Sequence, residues 1–365
     1  MGAPRRPARR YNPDDPDRAS GSMCLGQQSG PQSNTKIVGT IATMATIVAG
    51  VDIGGSHVTV VLMDGNGNVL QMEVSPVKDR SVEAVITVIA HGLNVVLANT
   101  DNLHGIGVGV PGNVDPVTLV AKYLPNFPAW PANVELGNLI REKLLIRHQS
   151  APIHMRNDGR CAALAESRYG VGRESAVFSL LTLGTGIGGA LVIHQKLFDG
   201  FTFDAGDFGH AVIRSDGEAF DCNCGKRGCF ETQASAHGLV KQYLKCVDRA
   251  KAGSSAGSVV PPVGNAEQVL TLVRANDATA LQAFDIFLDD LSTGLANLVT
   301  FYNPDVIAIG GGLSQAPEIF QRITPLVDQK TLPATRGKCQ IVPASLGTDA
   351  GAIGACVLAL FADNN

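Results

Sequence analysis

The sequence predicts an α/β protein of two lobes, built on mixed sheets around a cleft. Three observations carry this. Apolar strands alternate with helical stretches along the chain, the pattern of layered α/β folds. A strand, glycine turn, strand unit occurs near residues 46–63 and again near 176–194, an internal duplication of a supersecondary unit. At 365 residues the chain exceeds the ~250–300 residues at which single hydrophobic cores stop growing.

Residues 46–51 read as an apolar strand entering Asp52-Ile53-Gly54-Gly55-Ser56. A strand over 58–63 runs into Asp64-Gly65-Asn66-Gly67-Asn68, a hairpin turn, and 69–74 is the strand that returns. Helical periodicity covers 82–98, and a strand over 105–110 ends at Pro111-Gly112. A short strand at 153–155 precedes a helix at 160–169. The pattern then restarts: strand 176–183 enters Gly184-Thr185-Gly186-Ile187-Gly188-Gly189, and 190–194 is the next strand. A long helix over 278–302 is stopped by Asn303-Pro304, strand 306–309 enters Gly310-Gly311-Gly312, and a helix over 350–361 closes the chain. The expected organisation is an N-terminal lobe over 46–170, completed by a closing helix over 350–362, and a C-terminal lobe over 171–349.

Residues 1–36 carry Arg pairs, Pro, Asp, Ser and Gly with almost no periodic apolar residue, a composition that cannot bury a core. A disordered leader is expected over 1–45, with Met44, just before the first strand, as a candidate natural start. The apolar run at 37–51 falls short of the ~20 residues that span a bilayer and is broken by Gly39, Thr40, Thr43 and Thr46. A net charge of −4 gives no electrostatic case for nucleic acid or an anionic membrane. The expected partner is a small molecule. Cys24, Cys161, Cys246, Cys339 and Cys356 are scattered, whereas Cys222, Cys224 and Cys229 cluster. In a chain of this size such a cluster points to metal or redox chemistry in a reducing, cytoplasmic setting.

The glycine turns are the first candidate site. Glycine lets a ligand approach the backbone closely, and successive N–H groups in such turns form an anion-binding concavity. One such turn is usually only a turn. Three of them, over 52–56, 184–189 and 310–312, fit a nucleotide held between lobes. Gly54, Gly55, Ser56, Gly184, Thr185, Gly186, Gly311 and Gly312 are the candidate phosphate contacts. Asp52 could hold Mg²⁺ through water, which Mg²⁺ typically keeps; its plain reading is a turn-forming Asp. No Walker lysine follows these turns, and strands rather than helices come next, which argues against P-loop and Rossmann folds.

His210, Cys222, Cys224 and Cys229 form a second constellation, H-x11-C-x-C-x4-C. Three Cys and one His complete a tetrahedral Zn²⁺ shell with no open position, so the site should be structural. The alternative is a set of free thiols or a redox pair. Lys226 and Arg227 inside the loop could offset its surplus negative charge. Asn157-Asp158 follows a strand and opens a helix. The bland role is an N-cap. The chemical role is a general base that takes the proton of an attacking alcohol. Position between two candidate phosphate turns favours the second role for Asp158. Asp207, His210 and Glu231 bracket the cysteine loop, a rigid support if metal pins it.

The motifs resemble those of the ROK family (repressors, uncharacterised reading frames and sugar kinases), in particular its glucokinase-like members. The stretches that carry the resemblance are VAGVDIGGSHV (48–58), GVGVPGNVDP (107–116), YLPNFPAW (123–130), RNDGRCAALAE (156–166), LTLGTGIGGALV (181–192), AGDFGH (205–210), CNCGKRGCFE (222–231) and IAIGGGL (307–313). The resemblance implies an actin-like fold of two lobes, ATP and Mg²⁺ between them, and a homodimer. It implies that Asp158 is the base acting on a hexose hydroxyl, as in a glucokinase-type phosphotransferase. It also puts Asn126, Asn157, Asp207, His210 and Glu231 on sugar-contacting positions, with His210 serving zinc through one ring nitrogen and sugar through the other. Four departures stand out: Asp207 for the usual Glu, Ser56 for Thr, His57 for Lys, and Gly159-Arg160 for Ala-Asn. They leave open N-acetylmannosamine, allose or fructose as substrate, or a sugar-sensing regulator without activity. The family's repressors carry an N-terminal helix-turn-helix, and no such periodicity precedes residue 46.

Overall fold

The computed structural model describes residues 46–253 and 262–361. The expected leader, Met44 and Cys24 lie outside these residues. In the first half, β1 (Ile47–Ile53), β2 (His57–Asp64) and β3 (Val69–Pro76) form an antiparallel meander. Asp64 fixes its hairpin: Oδ1 accepts from the N–H groups of Asn66 and Asn68 at 2.9 Å, and Oδ2 accepts from the Asn68 amide. After α1 (Val82–Val96), β4 (Leu103–Val110) pairs parallel with β1. A small hairpin, β5 (Asn113–Asp115) and β6 (Val120–Tyr123), and α2 (Leu136–Lys143) precede β7 (Ile153–Asn157), which adds parallel to β4. The sheet order is β3-β2-β1-β4-β7.

Helix α3 (Asp158–Tyr169) then leads into β8 (Val177–Leu183), antiparallel to β9 (Ile187–Ile193), which pairs with the short β10 (Lys196–Leu197). Five more helices follow: α4 (Phe230–Ala234), α5 (Ala236–Gly253), α6 (Ala266–Arg274), α7 (Ala278–Tyr302) and, beyond β11 (Val306–Gly310), α8 (Pro317–Lys330). β11 and β12 (Gln340–Pro343) extend this sheet in parallel, giving β10-β9-β8-β11-β12. The two sheets thus share one plan, a meander on one flank and parallel strands on the other. The glycine turns sit at the same place in each plan, at the ends of β1 and β8. The second turn is shorter than the sequence suggests. β9 begins at Ile187, so Gly188 and Gly189 belong to the strand. Gly189 is a packing glycine, since a Cβ there would stand 2.4 Å from the Phe208 ring.

Helices α1 and α2 bury Val85, Ile89, Leu93 and Ile140 against the first sheet. α5 to α8 bury Tyr243, Phe284, Phe287, Leu291 and Ile319 beside the second. α3 and α9 (Ala350–Leu360) occupy the seam. α9 packs Ala352, Ala355 and Cys356 against Val48, Val61 and Met63, with Cys161 and Leu164 of α3 in the same cluster. Ala163 on α3's other face meets Phe178, Leu180 and Ala190 of the second sheet. Backbones touch along this seam: a Cβ on Gly107 would lie 1.8 Å from the Ala355 carbonyl oxygen, and one on Gly354 1.7 Å from that of Cys161. Among the described residues, no helix is long and apolar enough to cross a membrane.

Candidate active site

A cavity of about 750 Å³ is lined from the first half by Gly112, Asn113, Asn126, Asn157, Asp158 and Arg160. From the second half come Thr182, residues 184–188, Asp207, His210, Glu231 and Gly311. The candidate base, the candidate sugar contacts and two of the three glycine turns therefore face one space. Asp52, Gly54, Gly55, Ser56 and Gly312 are not in its wall. The first turn lies at its margin: a Cβ on Gly55 would stand 3.8 Å from Asn126 Cβ. Asn126 is followed along the chain by the buried Phe127 and Trp130. Their rings pack 5.1 Å apart, and the indole N–H donates to the Arg80 carbonyl at 2.7 Å.

The pair at the start of α3 divides its roles. Asn157 is the cap: its Oδ1 accepts from Gly159 N–H at 2.9 Å and from Arg160 N–H at 3.3 Å, and its Nδ2 donates to the Gly112 carbonyl at 3.2 Å. Asp158 is thereby released from that duty; its Oδ1 accepts from Gly159 N–H at 2.8 Å. Burial raises the Asp158 pKa above the ordinary carboxylate range, against the hydrogen bonds that lower it. Asp52 lies close behind. A Cβ on Gly109 would stand 3.4 Å from Asp52 Oδ1 and 3.5 Å from Asp158 Cα. Burial first, and then the charge of Asp158, push Asp52 up to about 7. Two half-buried carboxylates this close suit a divalent cation between them and a phosphate. α9 starts directly over Asp52, since a Cβ on Gly351 would lie 2.5 Å from its Oδ2.

The second constellation assembles as its spacing suggests. The ligand atoms of His210, Cys222, Cys224 and Cys229 all lie within 4.8 Å of one another. Cys224 Sγ is 3.6 Å from Cys229 Sγ, and Cys222 Sγ is 3.8 Å from His210 Nδ1. Ligands ~2.3 Å from a tetrahedral Zn²⁺ stand ~3.8 Å apart, so these residues fit that ion. Nδ1 is the nitrogen turned toward the sulfurs, which leaves Nε2 as the second nitrogen of a residue lining the cavity. Without a cation the thiols crowd: burial and the neighbouring sulfurs push Cys229 up to about 12. The loop needs two glycines in the left-handed region, Gly225 at φ 87° and Gly228 at φ 72°, where other residues pay a steric penalty. Lys226 donates to the His210 carbonyl at 2.7 Å, and Arg227 pairs with Asp221 at 2.9 Å.

Glu231 joins this loop to the second glycine turn. Its Oε2 accepts from Ile187 N–H at 3.1 Å, and its Oε1 lies 4.0 Å from Cys222 Sγ. Gly186 must be small here, because a Cβ would meet Glu231 Oε2 at 2.1 Å. A further set of contacts has no local signature in the chain. Residues 199–207 are tied to the first half by three side chains. Arg156 grips both oxygens of Asp199, at 2.8–3.2 Å. Asn113 donates to Asp204. Arg160, buried on α3, donates to the Ala205 carbonyl at 3.1 and 3.2 Å and reaches Asp207 at 3.4 Å. Arg160 and Asp207, two of the four departures named above, thus meet. Such pairs are separated by dozens of residues, so no local periodicity reveals them.

The model of the ROK family matches residues 48–361. A glucokinase of Thermotoga maritima is 32% identical over 311 residues, covering 84% of this chain and 95% of that protein. Among solved structures, a ROK hexokinase from Thermus thermophilus superposes with a TM-score of 0.75 at 24% identity, covering 88% of this chain and 100% of that one. A ROK family glucokinase from Streptomyces griseus, solved with glucose and AMPPNP, gives a TM-score of 0.65 at 26% identity, covering 86% and 98%. The chain belongs to the ROK family, and its fold is the actin-like fold of those kinases.

Proposed function

We propose that this ROK-family chain is an ATP-dependent hexose kinase of glucokinase type, with Asp158 as general base. One observation carries the reading: a half-buried carboxylate of raised pKa, relieved of capping by Asn157, faces the same cavity as the glycine turn at 184–186 and Gly311. A base with a pKa moved toward neutrality is better matched to taking a hydroxyl proton than an ordinary Asp. The backbone N–H groups of 54–56, 184–186 and 311–312 would cradle phosphate oxygens. Asp52 would hold hydrated Mg²⁺, which when bound offsets charge on the phosphate oxygens. Asn126, Asn157, Asp207, His210 and Glu231 form the sugar end. Asn157 shapes this end through its cap. Asp207 enters it already engaged by Arg160. His210, Cys222, Cys224 and Cys229 would hold a structural Zn²⁺, which when bound cross-links the wall carrying His210 and Glu231. The relatives' glucokinase names support glucose as the first sugar to try. A cytoplasmic homodimer completes the reading.

The test is ADP release from ATP over a panel of hexoses and N-acetylhexosamines. Turnover on glucose is expected, with Asp158→Asn losing ~10²–10⁴-fold in kcat at unchanged thermal stability. Turnover on another sugar of the panel moves the substrate and keeps the mechanism. Turnover on none favours a sugar-sensing regulator, and an Asp158→Asn variant as fast as the parent removes Asp158 from the base role.

A further inference from the structure

The chain passes between its two sheets twice. One passage, 170–176, leads from α3 to β8; the other, 344–349, leads from β12 to α9. A single side chain holds both. Glu166, on the last turns of α3, is 1% exposed. Its Oε1 accepts from the N–H groups of Ser345 and Leu346, both at 2.7 Å. Its Oε2 accepts from the Ser345 hydroxyl at 3.0 Å and from Val171 N–H at 3.2 Å. The Glu166 carbonyl takes Gly170 N–H at 3.1 Å and Gly172 N–H at 3.0 Å. Among the described residues no Lys or Arg pairs with this carboxylate. Its charge is met by three backbone amides and a hydroxyl, bonds of the stronger, charge-assisted kind. Gly170 makes room for it, because a Cβ there would lie 1.9 Å from Oε2.

The surroundings of the clamp are suited to motion. A cavity of about 630 Å³ lies against the passages, lined by Gly170, Val171, Ser175, Ser345 and Asp305. The passages therefore border open space on one side and the buried carboxylate on the other. Glu166 also shares its helix with the candidate base. Asp158 opens α3, and eight residues of helix put the two ~12 Å apart.

We propose that Glu166 is a positioning residue that pins the two passages into one hinge, and so sets where Asp158 comes to stand relative to the glycine turn at 184–186. The hinge itself is independent of the kinase reading; its catalytic consequence rests on that reading. In-line transfer is sensitive to such placement, since a 1 Å error can cost ~10²-fold. Glu166→Gln is the probe. It keeps the size but turns one acceptor into an NH₂ that faces N–H donors.

Hydrogen–deuterium exchange on the full chain reads the pin without any substrate. Amides of 170–176 and 344–349 are expected to exchange at least tenfold faster in Glu166→Gln, while those of β1 and β8 stay as in the parent. With glucose and ATP, kcat per folded enzyme should fall at least tenfold while KM for glucose moves less than threefold. A merely structural residue would lower Tm and the active fraction together, leaving exchange confined to no one region. Ser345→Ala, which removes one donor of the four, should show the same local exchange change at smaller amplitude even if Glu166→Gln fails to fold. Parent-like exchange at both passages in a folded variant overturns the pin. Faster exchange with unchanged kcat overturns its role in positioning. A parent inactive on every sugar counts against the kinase reading alone, because the exchange result still decides the pin.

Discussion

Asp52 and Asp158 flank Gly109, and their closeness has a consequence for stability that can be signed. In the folded protein without metal, Asp52 keeps its proton up to about pH 7, while the unfolded chain releases it near 3.8. The folded state therefore binds more protons in that window, and its stability falls as pH rises through it. Below 3.8 both states are protonated and above 7 both are ionised, so the loss starts at the first value and levels off past the second. Asp52→Asn removes the titrating group. Its Tm minus that of the parent is expected to be near zero at pH 4 and to grow to its maximum by pH 7.5, in metal-free buffer. A difference independent of pH would contradict the burial of Asp52. At this scale the sequence located the pair Asn157-Asp158 but left the cap and the base undivided. Side-chain rotamers made that division, and the Asn157 rotamer answers to the Gly112 carbonyl, which only the fold brings into place.

Among elements, the loop from His210 to Glu231 was the most legible. Its four ligand residues sit close in sequence, so local spacing nearly fixes their geometry. The short bridges Val212 to Cys229 and Asp221 to Arg227 finish the work. Such a loop carries little apolar core of its own, and a structural metal contributes folding energy outright in sites of this kind. One Zn²⁺ per chain is therefore expected by metal analysis. Cys224→Ser should lower that occupancy, lower Tm, and raise KM for sugar more than it lowers kcat, because the loop supports His210 and Glu231. A soluble Cys224→Ser protein with full zinc and unchanged Tm would exclude a structural site. Other elements were less legible. α5, α6 and α8 have amphipathic faces, with Leu239, Tyr243, Val269 and Ile323 buried, but these segments carry no motif to mark them. β12 is too short to announce itself, and it exists because β11 offers it a parallel edge.

The molecule as a whole is organised by its seam. α3 and α9 meet backbone to backbone at Gly354, where a Cβ would stand 1.7 Å from the Cys161 carbonyl oxygen. Gly354→Ala gains ~1 kcal/mol of intrinsic helix propensity. It also forces a main-chain contact that no rotamer relieves, and overpacking of this kind typically costs ~1–3 kcal/mol or more. The clash should win, so Tm is expected to drop by several degrees, whereas a variant more stable than the parent would mean that α3 and α9 do not pack this closely. The sequence by itself determined what short-range chemistry can encode. It specified the strand and glycine-turn duplication, the hairpin at Asp64, the long helix over 278–302, the ligand spacing of the cysteine loop, and an acid at the start of a helix. These follow from period, turn chemistry and neighbours within a few residues of one another. Only the tertiary structure decided which turns share a wall with Asp158, that Arg160 meets Asp207, and that Glu166 reaches Ser345, 179 residues further along the chain. Those pairings depend on how two sheets and two seam helices stack, and stacking is set by the summed packing of the core, which no local window of sequence contains.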